Sequence, residues 1–431
     1  MKMKIKTISA FLSILLAAAC VPTSYEQKPV RQQKPNYANL YNPASANIQP
    51  MVRYYHASES ETFLFFRINV NRMMPAPNAG NENGGDKHLG VKYAIRHAQT
   101  REIVDSAQLS YTPDADQQTW FVTYIPLKLD SGAKYFASMI FIDKNKKAYK
   151  RQIFDIDKTN SLNRHALFPE YLLPEVQPVF GNYVSTQRPL RVTSDLISKD
   201  SITVAIYEHD SVLPAPPYKT GNAVYNPDTP SIRKAYRMGD TLRLDTFGLY
   251  RFAIDESNNE GLSLWVGDDF FPWVRTSRDM LGPIRYIVTG SQYRILRKAD
   301  DLKLAIDRFW LKTGRSEEQG RELIRVYYNR VQQANRFFTA TRPGWQTDRG
   351  MIYILLGAPQ KVHKDEDKEI WVYGQTANYK GLVFRFMKDD SSISTNEFLL
   401  VRDVRYKDAW NDAVSSWQNG YPYSATNNKS K

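Results

Sequence analysis

The side chains whose types and spacing could do chemistry lie together in residues 344–350, Gly-Trp-Gln-Thr-Asp-Arg-Gly. A carboxylate held in a cleft can act as a general acid or base, and Asp348 is the candidate for that role. No second carboxylate and no histidine lies at a recognisable spacing from Asp348. A hydrolase that uses Asp348 is therefore one hypothesis, and a structural role for this motif is the other.

The structural hypothesis assigns each residue of the motif a local task. Gly344 and Gly350 would permit positive φ on either side of a tight connection. Trp345 would anchor that connection to a helix hairpin, while Thr347 and Asp348 would bond nearby backbone N–H groups. Asp348 would also pair with an arginine, and the candidates are Arg349, Arg330 and Arg336.

The elements around the motif change from helical to extended patterns. Leu302, Ala305, Ile306 and Phe309 recur at helical spacing before Gly314, and a capping box of Ser316 with Gln319 predicts the start of a second helix. The apolar run 351–356 predicts a strand that Gly357 and Pro359 would end. Shorter strands are predicted at 369–374 (with Trp371), 382–387 and 397–401. Residues 290–415 should thus form an α+β domain, a helix hairpin on a small antiparallel sheet, followed by a tail at 416–431.

Residues 51–170 and 171–285 show period-two alternation broken by turn residues. This pattern predicts two immunoglobulin-like β-sandwiches in tandem. Tyr135 and Tyr250 could each hydrogen-bond back to the chain as a tyrosine corner. The fold class is therefore multidomain and mainly β. The clearest predicted strands are 62–70, 91–97, 103–111, 120–126, 135–143 and 201–208.

Other catalytic and metal-binding patterns are missing from the sequence. The six histidines form no H-x-x-H or H-E-x-x-H pair, so no zinc site is predicted. No nucleophile elbow, Walker loop or dinucleotide fingerprint occurs. We expect a chain without enzymatic activity, with no catalytic residue, no metal and no cofactor.

Cys20, the only cysteine, ends a segment that resembles a bacterial lipoprotein signal. Three lysines precede a short apolar stretch and the small residues 17–19. The resemblance implies that residues 1–19 are a signal peptide and that Cys20 is acylated, which would anchor the chain in a membrane. Residues 20–50, rich in Gln, Pro, Asn and Ser, would be a flexible tether. No acidic cluster follows Cys20, which favours the periplasmic face of an outer membrane.

The motif closely resembles that of the GWxTD-domain family of Bacteroidota secreted and lipoprotein sequences. The resemblance rests on residues 344–350, the apolar run after them, Gly357 with Pro359, and Trp371. It covers roughly residues 290–415. The family has no assigned biochemical role, so the resemblance implies a compartment and a domain identity rather than a reaction.

We therefore expect a lipid-anchored outer-membrane protein that is a non-enzymatic scaffold or accessory subunit of an envelope assembly or secretion complex. Its partners would be the membrane, through acylated Cys20, and envelope proteins such as an outer-membrane β-barrel. The formal net charge of +13 could also suit nucleic acid, but the predicted location disfavours it. One alternative is the hydrolase at Asp348. The other is a glycan- or peptide-binding lipoprotein that uses an aromatic cluster of Trp265, Phe270, Phe271 and Trp273.

Overall fold

Two β-sandwiches and a C-terminal helix-and-sheet module follow one another along the chain. The computed structural model describes residues 36–42, 48–76, 85–113, 119–208, 212–221, 229–255, 260–374 and 381–424. The predicted signal peptide and Cys20 lie outside the described residues.

The first sandwich has a three-stranded and a four-stranded antiparallel sheet. Its strands are β1 (Met51–His56), β2 (Glu61–Asn69), β3 (Leu89–His97), β4 (Ile103–Tyr111), β5 (Trp120–Lys128), β6 (Ala133–Asp143) and β7 (Ala148–Lys158). The sheet orders are β1-β2-β5 and β4-β3-β6-β7. Leu64, Phe66 and Ile68 alternate along β2 and are fully buried, and the Phe66 ring packs 5.3 Å from Phe141 of the facing sheet. Period-two patterning thus supplies the core, and the predicted sandwich is confirmed.

The second sandwich is formed by eight shorter strands among the described residues. These are β8 (Phe168–Tyr171), β9 (Gln177–Pro178), β10 (Tyr183–Ser185), β11 (Leu190–Thr193), β12 (Ser201–Glu208), β13 (Ile232–Arg237), β14 (Gly248–Ala253) and β15 (Gly261–Gly267). Their orders are β11-β8-β9 and β10-β15-β14-β12-β13, with β10 parallel to β15. The two-sandwich prediction therefore holds.

Both predicted tyrosine corners are present. The hydroxyl of Tyr135 donates to the carbonyl of Asp130 at 2.9 Å. The hydroxyl of Tyr250 accepts from the amide of Thr246 at 3.2 Å. Each corner ties the entrance of a buried strand to the turn before it, which fixes the path of the chain at that point.

Strands β14 and β15 are buried along their whole length because both faces of their sheet are covered. One face contributes to the sandwich core. The other carries Leu249 and Trp265, which pack with Ile393 of the C-terminal module. The Ser263 hydroxyl donates to the carbonyl of Ile393 at 2.6 Å. The second sandwich and the C-terminal module therefore share a packed interface.

The C-terminal module packs six α-helices of the described chain with an antiparallel sheet. The helices are α1 (Ser277–Ile284), α2 (Gly290–Arg297), α3 (Leu302–Gly314), α4 (Glu317–Phe338), α5 (Asp348–Leu356) and α6 (Lys407–Gln418). The sheet has the order β16 (Lys361–Lys364), β17 (Lys368–Tyr373), β18 (Leu382–Lys388) and β19 (Phe398–Leu400). Within the described ranges, each helix is too short or too polar to cross a lipid bilayer.

The predicted hairpin of α3 and α4 is confirmed. The Trp310 indole on α3 donates to the Tyr328 hydroxyl on α4 at 3.1 Å. The Ser316 hydroxyl accepts from the amide of Gln319, as the predicted cap requires. The capping box is not completed, and the side-chain nitrogen of Gln319 donates to the carbonyl of Gly420 at 2.7 Å.

The predicted strand at 351–356 is wrong, because these residues belong to helix α5. All nine residues of α5 are buried, so no polar face exists to reveal a helical period. The helix begins at the Thr347 cap, and it ends at Gly357, which has φ +84°. A continuous apolar run between such residues fits a buried helix as well as a buried strand.

Parts of two segments that were expected to be loose pack onto the C-terminal module, and residues 20–35, 43–47 and 425–431 of these segments lie outside the described residues. Within the predicted tether 20–50, residues 36–42 dock onto the sheet: the Tyr37 amide donates to the Val362 carbonyl at 2.8 Å, and Tyr41 is buried. Within the predicted tail 416–431, α6 continues to Gln418, and Trp417 and Tyr423 are buried. Tyrosine and tryptophan side chains supply the apolar area that holds both segments down.

Candidate functional site

The motif connects α4 to α5 through a short 3₁₀ turn, Gly344–Gln346. Neither Gly344 nor Gly350 has a positive φ, so that expectation is wrong. A Cβ on Gly344 would lie 1.9 Å from the Ala334 carbonyl oxygen on α4. A Cβ on Gly350 would lie 1.8 Å from the carbonyl oxygen of Gly344. Both glycines are needed because backbone approaches backbone here, a use of glycine that does not involve left-handed conformation.

Trp345 anchors the turn to helix α1 as well as to the predicted hairpin. Its ring lies against Gly282 of α1, where a Cβ would come within 2.8 Å of the indole. The Tyr286 hydroxyl donates to the Trp345 carbonyl at 2.8 Å. The Trp345 amide donates to the Asn335 side chain of α4 at 3.0 Å. The turn is therefore fixed between α1 and α4.

Thr347 acts as the N-cap of α5, in agreement with its predicted bond to the backbone. Its hydroxyl oxygen accepts from the Gly350 amide at 3.0 Å, and its O–H donates to the Gly344 carbonyl at 2.8 Å. Capping satisfies a helix N–H that would otherwise be buried without a partner.

Asp348 pairs with Arg402, and not with Arg349, Arg330 or Arg336 as predicted. The guanidinium of Arg402 meets both carboxylate oxygens, at 2.6 and 3.2 Å, and the Leu400 amide donates to Asp348 at 2.7 Å. The Asp348 side chain is fully buried, and burial raises its pKa, whereas Arg402 and the Leu400 amide oppose that rise. The pair joins α5 to the end of β19.

Arg349 forms a second buried ion pair, with Glu369 of β17 at 3.2 Å. The other Nη of Arg349 donates to the carbonyl and side-chain oxygens of Asn396, at 2.6 and 2.7 Å. Glu369 also accepts from the Tyr41 hydroxyl at 2.9 Å and from the Trp371 indole at 3.1 Å. Burial alone would raise the pKa of Glu369, but Arg349 and Lys364 hold it below its usual value.

The remaining predicted residues close the far end of α5. The Gly357 carbonyl accepts from the Tyr373 hydroxyl at 2.9 Å, and Pro359 follows as the chain leads into β16. Arg330 donates to the carbonyls of Ile354 and Leu355, at 3.1 and 3.0 Å. A cation at a helix C-terminus interacts favourably with the last carbonyl groups, which have no hydrogen-bond partner inside the helix.

The arrangement buries the two charged residues of the motif in two separate ion pairs. Asp348, Arg349 and Glu369 are each at most 2% exposed, and both acids are ion-paired. Sequence reasoning missed Arg402, Asn396 and Tyr41, which lie 46 or more residues away from the motif on other parts of the chain. Among the described residues, no group of His, Cys, Asp and Glu could hold a metal ion. The two ion pairs hold α5 against the sheet.

The aromatic cluster of the glycan-binding alternative divides into buried and exposed members. Trp265 is only 4% exposed, and Phe271 packs 5.2 Å from Tyr183. Phe270 is 42% exposed and Trp273 is 47% exposed. The Arg275 guanidinium lies 5.2 Å from the Phe270 ring. Two aromatic rings therefore remain at the surface.

A family model described as the GWxTD domain matches residues 248–419. That span begins at β14, inside the second sandwich, and so includes the two strands that pack against the C-terminal module. Among curated proteins, none matches this chain.

Several solved structures match parts of this chain. Bacteroides uniformis beta-glucuronidase 2, covalently bound to cyclophellitol-6-carboxylate aziridine, is 13% identical over 25% of this chain and 13% of its own, with a TM-score of 0.18. A putative beta-galactosidase from Bacteroides fragilis is 10% identical over 25% and 16%, with a TM-score of 0.17. A Bacteroides uniformis beta-glucuronidase is 10% identical over 38% and 16%, with a TM-score of 0.19. The matched region is thus under a fifth of each of those chains.

Proposed function

Because this chain contains a GWxTD domain, we propose that it is a non-enzymatic scaffold or accessory subunit of an envelope protein assembly or secretion complex. In this proposal acylated Cys20 anchors it to the periplasmic face of the outer membrane. The lipoprotein-like segment before Cys20 supports the anchor, and the family resemblance supports the compartment.

The observation that supports the non-enzymatic role is that Asp348, the candidate catalytic residue of the motif, is buried and fully hydrogen-bonded. Asp348 has both carboxylate oxygens bonded to Arg402 or Leu400 and lies 1% exposed. A general acid or base must reach the atom whose proton it transfers. In this geometry both carboxylate oxygens of Asp348 bind other groups of the same chain. The geometry therefore gives no support to the hydrolase alternative.

Exposed apolar side chains at a sandwich edge support binding of a protein partner. Strands β4 and β5 each lie at the edge of their sheet. Ile103 and Val104 on β4 are 52% and 45% exposed, and Trp120 and Tyr124 on β5 are each 38% exposed. Edge strands and surface aromatic residues are common partner contacts.

The test is recovery of the complex from the native host. A C-terminally tagged copy is crosslinked in cells, solubilised gently from outer membranes, purified and analysed by mass spectrometry. We expect other envelope proteins in stoichiometric amounts, and Cys20→Ser should release the chain from the membrane fraction. Recovery of the tagged chain alone after crosslinking would contradict the scaffold role.

A matched pair of variants locates the contact. Val104→Lys with Tyr124→Lys places charge on the β4–β5 edge and should reduce partner recovery at least fivefold. Tyr149→Lys changes a side chain that is 65% exposed on β7 of the same sandwich and should leave recovery unchanged. Equal recovery from both variants would place the contact elsewhere on the chain.

Glycan binding is the second candidate, because Phe270 and Trp273 expose aromatic rings near each other in sequence. Exposed aromatic faces can stack on sugar rings. Calorimetric titration with envelope glycans should then give a heat of binding that Trp273→Ala removes. Trp120→Ala is the control, since it removes an exposed indole from the first sandwich. A glycan panel without binding heat would rule out this candidate.

A further inference from the structure

Two adjoining cavities form one cleft where the 212–221 loop meets α2, α6 and the segment between α1 and α2. The larger has a volume of about 780 Å³ and the smaller about 440 Å³. Both are lined by Pro216, Arg285, Val288 and Thr289, so they are continuous.

The larger cavity is cationic. Lys219, Arg285, Arg294 and Arg297 line it, and its lining includes no Asp or Glu. Within the described part of the chain, none of these four cations forms an ion pair, although Arg285 lies 5.1 Å from the Tyr293 ring. Four uncompensated cations around one concavity create a strong positive potential, and guanidinium groups bind phosphate oxygens in a bidentate way.

The smaller cavity has apolar walls beside the polar side chains of Arg285, Thr289 and Gln418. Leu213, Pro214, Tyr286, Trp410 and Val414 line it, again without an acidic residue. Trp410 and Tyr286 are 8% and 7% exposed, so their rings form fixed walls. Apolar walls favour a hydrocarbon group over water by about 25 cal/mol for each Å² removed from solvent.

We propose that this cleft binds one phospholipid-like amphiphile, with its phosphate among Arg285, Arg294 and Arg297 and its hydrocarbon chain against Trp410 and Val414. The argument is charge complementarity at one end and apolar complementarity at the other, joined through the four shared residues. It is independent of the scaffold role, since it uses neither the anchor nor a protein partner.

Isothermal titration of the full chain carrying Cys20→Ser tests the proposal with three probes below their critical micelle concentrations. Dodecyl phosphate supplies both halves of the ligand, dodecyl maltoside supplies the same chain with a neutral head, and inorganic phosphate supplies the head alone. We expect dodecyl phosphate to bind at least tenfold more tightly than either other probe. Equal binding of dodecyl maltoside would overturn the phosphate site, and equal binding of inorganic phosphate would overturn the apolar half.

Variants of equal charge change separate the cleft from general surface charge. Arg285→Gln with Arg294→Gln should weaken dodecyl phosphate binding at least tenfold. Arg321→Gln with Arg325→Gln is the control, because both residues are exposed on α4 and line neither cavity. Equal weakening in both double variants would overturn the cleft in favour of a charged surface. Thermal unfolding verifies that each variant is folded.

Discussion

Single residues of the motif show why glycine and charge occur together in it. Gly344 lets the backbone of the turn pack against α4, and Gly350 lets the start of α5 pack against the carbonyl of Gly344. Asp348 and Arg349 then point in different directions, to Arg402 and to Glu369. The motif thus brings α4, α5, β17 and β19 together within seven residues.

Replacing Asp348 with Asn should destabilise the GWxTD domain strongly. The substitution leaves the Arg402 guanidinium, which is 5% exposed, without its counter-charge. Breaking a buried ion pair from one side costs about 3–5 kcal/mol. Urea denaturation measures the loss, and Glu322→Gln, which breaks an exposed pair with Arg325 on α4, should change stability little. A stable Asp348→Asn protein that has lost its cellular role would instead revive the hydrolase hypothesis.

Replacing Gly344 with Ala should also be destabilising, by about 2 kcal/mol or more. The new Cβ would overlap the carbonyl oxygen of Ala334, and backbone on both sides can move little. Gly290→Ala provides the control, because a Cβ there has nothing within 4 Å. Thermal unfolding of the two variants should therefore differ clearly, and similar melting temperatures would show that the turn can shift away from α4.

At the scale of elements, the residues around a segment decided its structure where the pattern was ambiguous. Helix α5 is buried on every side because α4, the sheet, α6 and residues 36–42 surround it. The segment 36–42 is short and lies within the predicted tether, yet Tyr41 lies between Phe338 and Trp371 with ring centroids 5.0 and 5.4 Å away.

Removing the Tyr41 side chain should therefore loosen the GWxTD domain. Tyr41→Ala deletes a buried ring and the hydroxyl that donates to Glu369, and large aromatic truncations in cores cost about 3–5 kcal/mol. Denaturant unfolding, followed by tryptophan fluorescence, measures the change. Tyr149→Ala, at a position 65% exposed, should have little effect. If the two variants match, residues 36–42 add no stability to the domain.

At the scale of the whole molecule, the second sandwich and the GWxTD domain should unfold together. Trp265 and Ser263 of β15 contact Ile393, and β14 pairs with both β12 and β15. A fragment limited to the matched span 248–419 lacks β12 and Tyr41. Near-UV circular dichroism should show that this fragment lacks fixed tertiary packing, whereas residues 36–424 retain it. A cooperatively folded 248–419 fragment would contradict this interdependence.

Local patterns in the sequence determined the sandwiches, the α3–α4 hairpin, the tyrosine corners and the GWxTD identity. Each of these depends on neighbours along the chain: period two in strands, helical spacing, a capping serine, or a motif of seven residues. The sequence also implied an arginine partner for Asp348, but Arg349, Arg330 and Arg336, the candidates that it offered, were wrong.

Only the tertiary structure decided the partners and the fate of the ambiguous segments. Arg402 lies 54 positions from Asp348, and Tyr41 lies 328 positions from Glu369. No local pattern encodes such distances, because they follow from how whole elements pack. The same packing surrounds α5, so that the helix has no solvent-facing side whose residues could show a helical period. It also buries Tyr41 and Tyr423 and places Lys219 beside Arg285 and Arg294 around one cleft.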